Sequence, residues 1–290
     1  MATPAHGLTH ALTIDVEEYF QVAAFESRIL RQHWENLPSR VADSTRRILD
    51  LLARHEAHAT FFVLGWVARR EPALIRQIVA AGHELASHGM EHIQVTRQSP
   101  AAFLADATES RLILEQTGGV RVRGYRASTY SIGQANAWAF AQLAAAGYDY
   151  SSSVYPIRHD LYGWPEAPRT PFWPSGATGV GIVEIPVATL DLFGRRYPCG
   201  GGGFFRLYPY RVSRWAWQRL QHREGQAGVF YFHPWELDAG QPRVAGLGWK
   251  SRFRHYLNLT RMETRITTLL RDFRWDRMDR VFAEVIGARS

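Results

Sequence analysis

The sequence predicts an α/β fold, a distorted (β/α) barrel of about seven strands with a C-terminal extension. Three observations predict it. Short apolar runs alternate with helical stripes along most of the chain. Several stripes are opened by proline or closed by glycine, as helices are. Polar clusters follow Ile14, Leu85, Tyr125 and Phe232, and the C-terminal ends of parallel strands are where ligands gather in such folds.

The elements follow in order. Ala11 to Asp15 is an apolar run ending in Asp15, Glu17 and Glu18, as a strand delivering carboxylates would. Ser39 to His55 sets Val41, Ile48, Leu49, Leu51 and Leu52 against Arg46, Arg47 and Arg54, a helical stripe. Ala59 to Leu64 reads as a buried strand, Pro72 to Ala81 as a helix stopped by Gly82, and His83 to Ala86 as a third strand. Pro100 to Thr117 is a helix ended by Gly118-Gly119, Val120 to Tyr125 a strand, and Gln134 to Ala146 a helix ended by Gly147. Val180 to Val187 and Val229 to Phe232 are strands with a helix, Tyr210 to His222, between them. Tyr155 to Gly181 and Leu237 to Gly248 are rich in Pro and Gly and read as connections; His255 to Phe273 reads as helix. The expected division is a catalytic barrel over residues 1–238 and an Arg- and aromatic-rich extension over 239–290, packed on the barrel.

A chain of 290 residues with 46% hydrophobic content can bury a full core and is not a disordered sequence. The formal net charge is +7, carried almost wholly by arginine, since Lys250 is the single lysine. No lysine-rich run or nucleic-acid motif accompanies that charge, so no nucleic-acid partner is expected. Cys199 stands alone, which excludes an intramolecular disulfide. The N-terminal stretch has no basic region followed by an apolar core, and no apolar run is long enough to span a bilayer. The expectation is a cytoplasmic protein without a transmembrane segment, with peripheral membrane association left open. Oligomeric state is not indicated.

Four segments carry chemistry. His88 and His92 are four apart, which on a helical turn puts both on one face at metal-sharing distance; alone, they also fit a solvated helix end. Asp15 and Glu17 are two apart on a strand and point the same way, so one could bind a metal and the other take a proton. Arg126, just past an apolar strand, could hold a carboxylate ionised, catalytically or as a structural pair. His233 closes the aromatic strand Val229 to Phe232, where a histidine can serve as an acid or simply pack. His83 lies off the face shared by His88 and His92 and reads as structural.

Taken together, these segments resemble the polysaccharide deacetylases of carbohydrate esterase family 4. The resemblance rests on Thr13-Ile14-Asp15-Val16-Glu17, His88-Gly89-Met90-Glu91-His92, Arg126-Ala127-Ser128-Thr129-Tyr130, Tyr148-Asp149-Tyr150-Ser151 and Phe232-His233-Pro234, and covers roughly residues 8–238. DVEEYF, GGGFFRLYPY and FYFHPWELD further resemble the subgroup associated with exosortase-type exopolysaccharide systems. Three departures stand out: the family's adjacent Asp-Asp is spread over Asp15 to Glu18, so Glu18 could replace Glu17; Gly89 stands where Ser or Thr is usual; and Ser128 stands where proline is common.

The resemblance implies metal-dependent hydrolysis of an N-acetyl group on an N-acetylated polysaccharide or oligosaccharide. It implies a divalent metal, zinc foremost, with cobalt, manganese, nickel or iron as alternatives, held by Glu17, His88 and His92. Asp15 would be the base, held by Arg126. His233 would be the acid, with Asp149 orienting or charging it. A backbone N–H near Thr129 or Tyr130 would hold the oxyanion, and Thr129, Tyr130 and Trp235 would touch substrate. Tyr155, Trp164, Phe172, Trp173, Phe204 and Phe205 are further aromatics for a sugar groove or, equally, for the core. Two other functions fit the same residues: hydrolysis of a small cyclic amide on the same fold, and an inactive carbohydrate-binding protein.

Overall fold

The computed structural model describes residues 7–174 and 181–288. One sheet holds β1 (Thr9–Val16), β2 (Thr60–Val63), β3 (Glu84–Ser87), β4 (Gly124–Tyr125), β5 (Tyr150–Ser151) and β6 (Val183–Glu184) in chain order, all parallel. β7 (Thr189–Leu192) and β8 (Arg195–Pro198) form a separate antiparallel hairpin. β9 (Val229–Phe232) and β10 (Arg274–Asp276) both pair parallel with β1, β9 along Ala11 to Ile14 and β10 along Thr9 to Ala11. The sheet curls without a β6–β9 ladder: the Ala188 N–H bonds to the Val229 carbonyl, and Gly201 bridges to Tyr231. This is the distorted α/β barrel expected of the sequence.

The helices are α1 (Val41–Arg54), α2 (Gly65–Arg70), α3 (Pro72–Ala80), α4 (Pro100–Gly118), α5 (Ala139–Ala145), α6 (Gly202–Leu207), α7 (Tyr210–Arg219), α8 (Trp249–Tyr256), α9 (Met262–Asp272), α10 (Met278–Val281) and α11 (Ala283–Gly287). Local chemistry bounds them. The Ser99 hydroxyl accepts the Ala102 N–H at the start of α4, Pro100 takes its first position, and Gly119 ends it in a left-handed conformation. The alternation along β1 decides what faces what. Leu12, Ile14 and Val16 pack with Ile48, Leu52, Ile75 and Phe103 of the surrounding helices. Ala11 joins Phe62, Ala86, Tyr150 and Val229 on the other face, where Met278, Phe282 and Ile286 fill one end of the curl. Each of these buried large side chains contributes about 1.5–3 kcal/mol.

Several expected elements are shorter or divided. The strand expected from Val120 is only Gly124–Tyr125, and the helix expected from Gln134 begins at Ala139 after a 3₁₀ turn. The strand expected from Val180 is Val183–Glu184, with Val180 itself outside the described residues. The helix expected over His255 to Phe273 is two, α8 and α9, divided where Asn258 takes a left-handed conformation (φ 54°). The last residues also do more than pack on the barrel, since β10 is part of its sheet. Among the described residues no helix is long and apolar enough to cross a membrane.

Candidate active site

β1, β3, β4 and β9 run parallel, so Asp15, His88, Arg126 and His233 all emerge at the same end of the sheet. Asp15 is 1% exposed, and Arg126 donates to it through Nη1 at 2.6 Å. The same guanidinium donates to Thr13 and to the carbonyl and hydroxyl of Ser152, and lies over the Phe62 ring at 4.1 Å. Every polar edge of a fully buried cation is therefore used, which fixes where it presents Asp15.

Glu17, His88 and His92 offer ligand atoms that all lie within 4.8 Å of one another, and all three are buried. Glu17 Oε2 stands 2.8 Å from His92 Nε2 and 4.0 Å from His88 Nε2. His88 Nδ1–H donates to the Arg126 carbonyl at 2.9 Å, which turns its Nε2 toward Glu17 as an acceptor. Burial pushes the His88 pKa down to about 4, so the ring is the neutral ligand form. Burial alone would raise the Glu17 carboxyl, but His92, His233 and His88 together hold it well below the usual range.

The histidine pair is not on a helical turn. Residues 88–92 form a loop after β3 in which Gly89 (φ 81°) and His92 (φ 55°) are left-handed. A Cβ at Gly89 would also meet Asp106 Oδ1 at 3.1 Å. The bracing expected of a hydroxyl at position 89 comes from elsewhere: the Ser87 hydroxyl accepts the Gly89 N–H, and Asp106 accepts the Met90 N–H. Glu18 faces away and accepts from Ser39 and from the Arg40 N–H at the start of α1. The acid in the cluster is thus Glu17, as the two-residue alternation suggests.

His233 Nε2 is 3.9 Å from Asp15 Oδ2 and 3.7 Å from Glu17 Oε1. Its Nδ1–H donates at 2.7 Å to Glu236, which also accepts the His233 backbone N–H at 3.0 Å. Burial alone would lower the His233 pKa, but the Glu236 hydrogen bond and the charges of Glu17, Glu236 and Asp15 raise it above the ordinary value. Glu236 is fully buried; burial alone would raise its pKa, and Arg206 and His233 hold it below.

Two expectations need correcting. Asp149 does not reach His233: it precedes β5 at the opposite end of the sheet and pairs with Arg121 and Arg123 at 2.7 Å each. The carboxylate on His233 is Glu236, and a His-Pro-x-Glu spacing is a capping signal that could have revealed it. Trp235 is 7% exposed, its indole N–H donates to Glu17 Oε1 at 3.1 Å, and its ring stacks with His233 and His255. It braces the cluster and leaves little face for a sugar. Tyr130 is 5% exposed among Tyr155, Tyr162 and Tyr231, and its N–H is spent on the Ala127 carbonyl. Thr129 is half-buried beside it with φ 57°. Tyr155 and Phe205 are core, whereas Trp173 is 43% exposed. His83 accepts the Ala59 N–H and is structural.

An α/β barrel with acids, imidazoles and an arginine gathered at its strand ends has clear structural parallels. A Mycobacterium smegmatis protein described as a polysaccharide deacetylase aligns over 100% of this chain and 96% of its own, with TM-score 0.65 and 18% identity. The PuuE allantoinase aligns over 97% and 93%, with TM-score 0.60 and 18% identity. At that identity both show the fold alone. Residues 28–151 match the polysaccharide deacetylase family model, and residues 152–283 match a domain of unknown function, DUF3473. A chitooligosaccharide deacetylase of Bradyrhizobium is 47% identical over 57 residues, and a peptidoglycan-N-acetylglucosamine deacetylase of Bacillus cereus 33% identical over 72. Those stretches are 20% and 25% of this chain and 26% and 34% of the relatives. Residues 28–151, less than half of the chain, are thus similar to the polysaccharide deacetylase family, and the chain spans well under two thirds of the length of these relatives.

Proposed function

We propose that this protein is a metal-dependent hydrolase that removes N-acetyl groups from an amino-sugar polysaccharide of the exopolysaccharide type. The observation that carries the reading is the buried Glu17, His88 and His92 cluster, with Asp15 and His233 both at its edge. The cluster fits a metal. Glu17 Oε2 is buried with His92 Nε2 at 2.8 Å and His88 Nε2 at 4.0 Å, and the bond to Arg126 directs His88 Nε2 toward it. Two imidazoles and one carboxylate are a catalytic zinc set, and cobalt, manganese, nickel and iron accept the same donors. Bound there, the cation supplies Lewis acidity that polarises an acetamide carbonyl and acidifies water.

The chain's own residues do the rest. Asp15, held by Arg126, takes a proton from the attacking water as its oxygen bonds to the carbonyl carbon. The Thr129 N–H is the proposed oxyanion donor, since the Tyr130 N–H is already bonded. His233, oriented by Glu236, gives its Nε2 proton to the amide nitrogen as the C–N bond breaks, leaving acetate and a free amine. The amino-sugar class follows what the relatives' names say of those proteins. The exopolysaccharide type rests on the DVEEYF, GGGFFRLYPY and FYFHPWELD resemblance.

The test is acetate release by the full chain from an N-acetylated chitooligosaccharide, before and after chelation. Chelation should abolish release, and zinc or cobalt should restore it. Full activity in metal-stripped protein would overturn the mechanism. Turnover of a small cyclic amide alone would favour the second enzymatic reading.

A further inference from the structure

The run Gly201-Gly202-Gly203 opens α6 and presses against β9. The Tyr231 N–H bonds to the Gly200 carbonyl, and a Cβ at Gly201 would lie 2.0 Å from the Tyr231 carbonyl oxygen. That approach, which only glycine permits, seats Arg206 beneath the catalytic turn. The Arg206 side chain is 2% exposed, and its Nε donates to Glu236 Oε2 at 2.5 Å. The other oxygen of Glu236 holds His233. The remaining donors of Arg206 reach three backbone carbonyls at the end of α8: Nη1 bonds those of His255 and Leu257 at 2.7 and 2.9 Å, and Nη2 that of Arg254 at 2.9 Å.

The carbonyls of a helix's last turn lack intrahelical partners and favour a cation. One planar guanidinium satisfies them with one edge and fixes a carboxylate with the other, which a lysine ammonium cannot do. α8 is held into the site a second time, because His255 stacks on Trp235, whose indole donates to Glu17.

We propose that Arg206 is a positioning residue for His233, acting through Glu236, and that it couples the end of α8 to the catalytic turn. This rests on the reading of His233 as the proton donor. Arg206 fixes Glu236, Glu236 fixes the His233 ring and its Nδ1–H tautomer, and Nε2 is thereby aimed at the leaving nitrogen. Through the carbonyls at the end of α8, the C-terminal segment is part of the proton-delivery machinery and not only packed on the barrel.

The experiment compares zinc-loaded full-length wild type, Arg206→Lys, the double variant Arg206→Met/Glu236→Gln, and His233→Ala. The double variant leaves no unpaired buried charge, so it should fold even if Arg206→Lys does not. Each is assayed on N-acetylated chitotriose and on 4-nitrophenyl acetate, whose leaving group needs no proton. His233→Ala should lose roughly 10²–10⁴-fold on the amide and much less on the ester. The Arg206 variants should show the same split at roughly 10–100-fold, with metal content unchanged. In metal-free protein, the hydrogen-bonded imidazole N–H proton resonance that His233→Ala removes should shift or broaden in Arg206→Lys. If His233→Ala shows the split and the Arg206 variants lose amide and ester activity together, lose neither, or do not fold, Arg206 is a structural brace and the inference fails. If His233→Ala itself loses both equally, the reading of His233 is what fails.

Discussion

Replacing Arg126 by methionine tests whether the Asp15–Arg126 pair exists for stability or for chemistry. Both side chains are buried, 0% and 2% exposed, at 2.6 Å. Without the guanidinium, Asp15 loses its charge partner, and Ser152 and Thr13 lose donors. Breaking a buried pair on one side costs about 3–5 kcal/mol, chiefly because a charge is left stranded. Replacing both partners by apolar residues of similar volume often costs far less. Arg126→Met should therefore lower unfolding free energy by about 3–5 kcal/mol, and Asp15→Leu/Arg126→Met should recover most of that loss. Urea titration of the metal-free single and double variants measures it, provided the slope with denaturant stays constant. Arg126→Met, Asp15→Leu and the double variant should all be inactive on an N-acetylated oligosaccharide. A loss below about 1 kcal/mol for Arg126→Met, or simple additivity in the double variant, would refute the view of this pair as a stranded-charge system.

Other outcomes follow from the same geometry. Glu17→Ala should abolish tight zinc binding measured by metal analysis, whereas Glu18→Ala should retain zinc and lose about 1 kcal/mol, since Glu18 caps the start of α1. Gly201→Ala should lower both Tm and activity, because that residue has φ 118° and its Cβ would collide with the Tyr231 carbonyl; an unchanged Tm would contradict the packing described. Burial pushes the Glu184 pKa from 4.5 up to about 7, against hydrogen bonds from Ser151 and the Val154 and Ser153 N–H groups. A raised folded-state pKa means that the native state binds more protons, so this stabilisation is full below 4.5 and lost as pH rises through about 7. Glu184→Gln should thus gain on wild type across that window, by about 3 kcal/mol at most, and a pH-independent difference would exclude the effect.

What the sequence showed and what it hid divide along physical lines. Period-two alternation placed Asp15 inward and paired it with Glu17, because β1 is a long strand with one face on helices. Apolar runs ending in polar residues gave the strand ends that bring Asp15, His88, Arg126 and His233 together. The turn at 88–92 was misread as helical because spacing alone cannot see that Gly89 and His92 are left-handed. Asp149 entered through the resemblance and not through spacing; it adjoins β5 at the end away from the site, and strand polarity decides which end a neighbour serves. Arg206 left only an indirect mark, a glycine run whose purpose appears once Tyr231 is seen pressed against it. Trp235 has the composition of a sugar platform, and only its burial shows it to be a brace.

The strand carrying Asp15 has a bearing on biosynthesis. β1 pairs with β2 along Thr13 to Val16, with β9 along Ala11 to Ile14 and with β10 along Thr9 to Ala11, so Thr9 waits for Arg274 and Ala11 for Val229. During translation at about 5–20 residues per second, β1 keeps an unpaired edge until β9 has followed it, Phe230 being 217 residues beyond Thr13. Such an edge templates wrong pairing while it is open, and closure over so long a sequence separation is slow. A prematurely terminated chain ending before β9 would keep Asp15, His88 and Arg126 yet expose that edge permanently, making it a target for chaperones and proteases and not a reduced-activity enzyme.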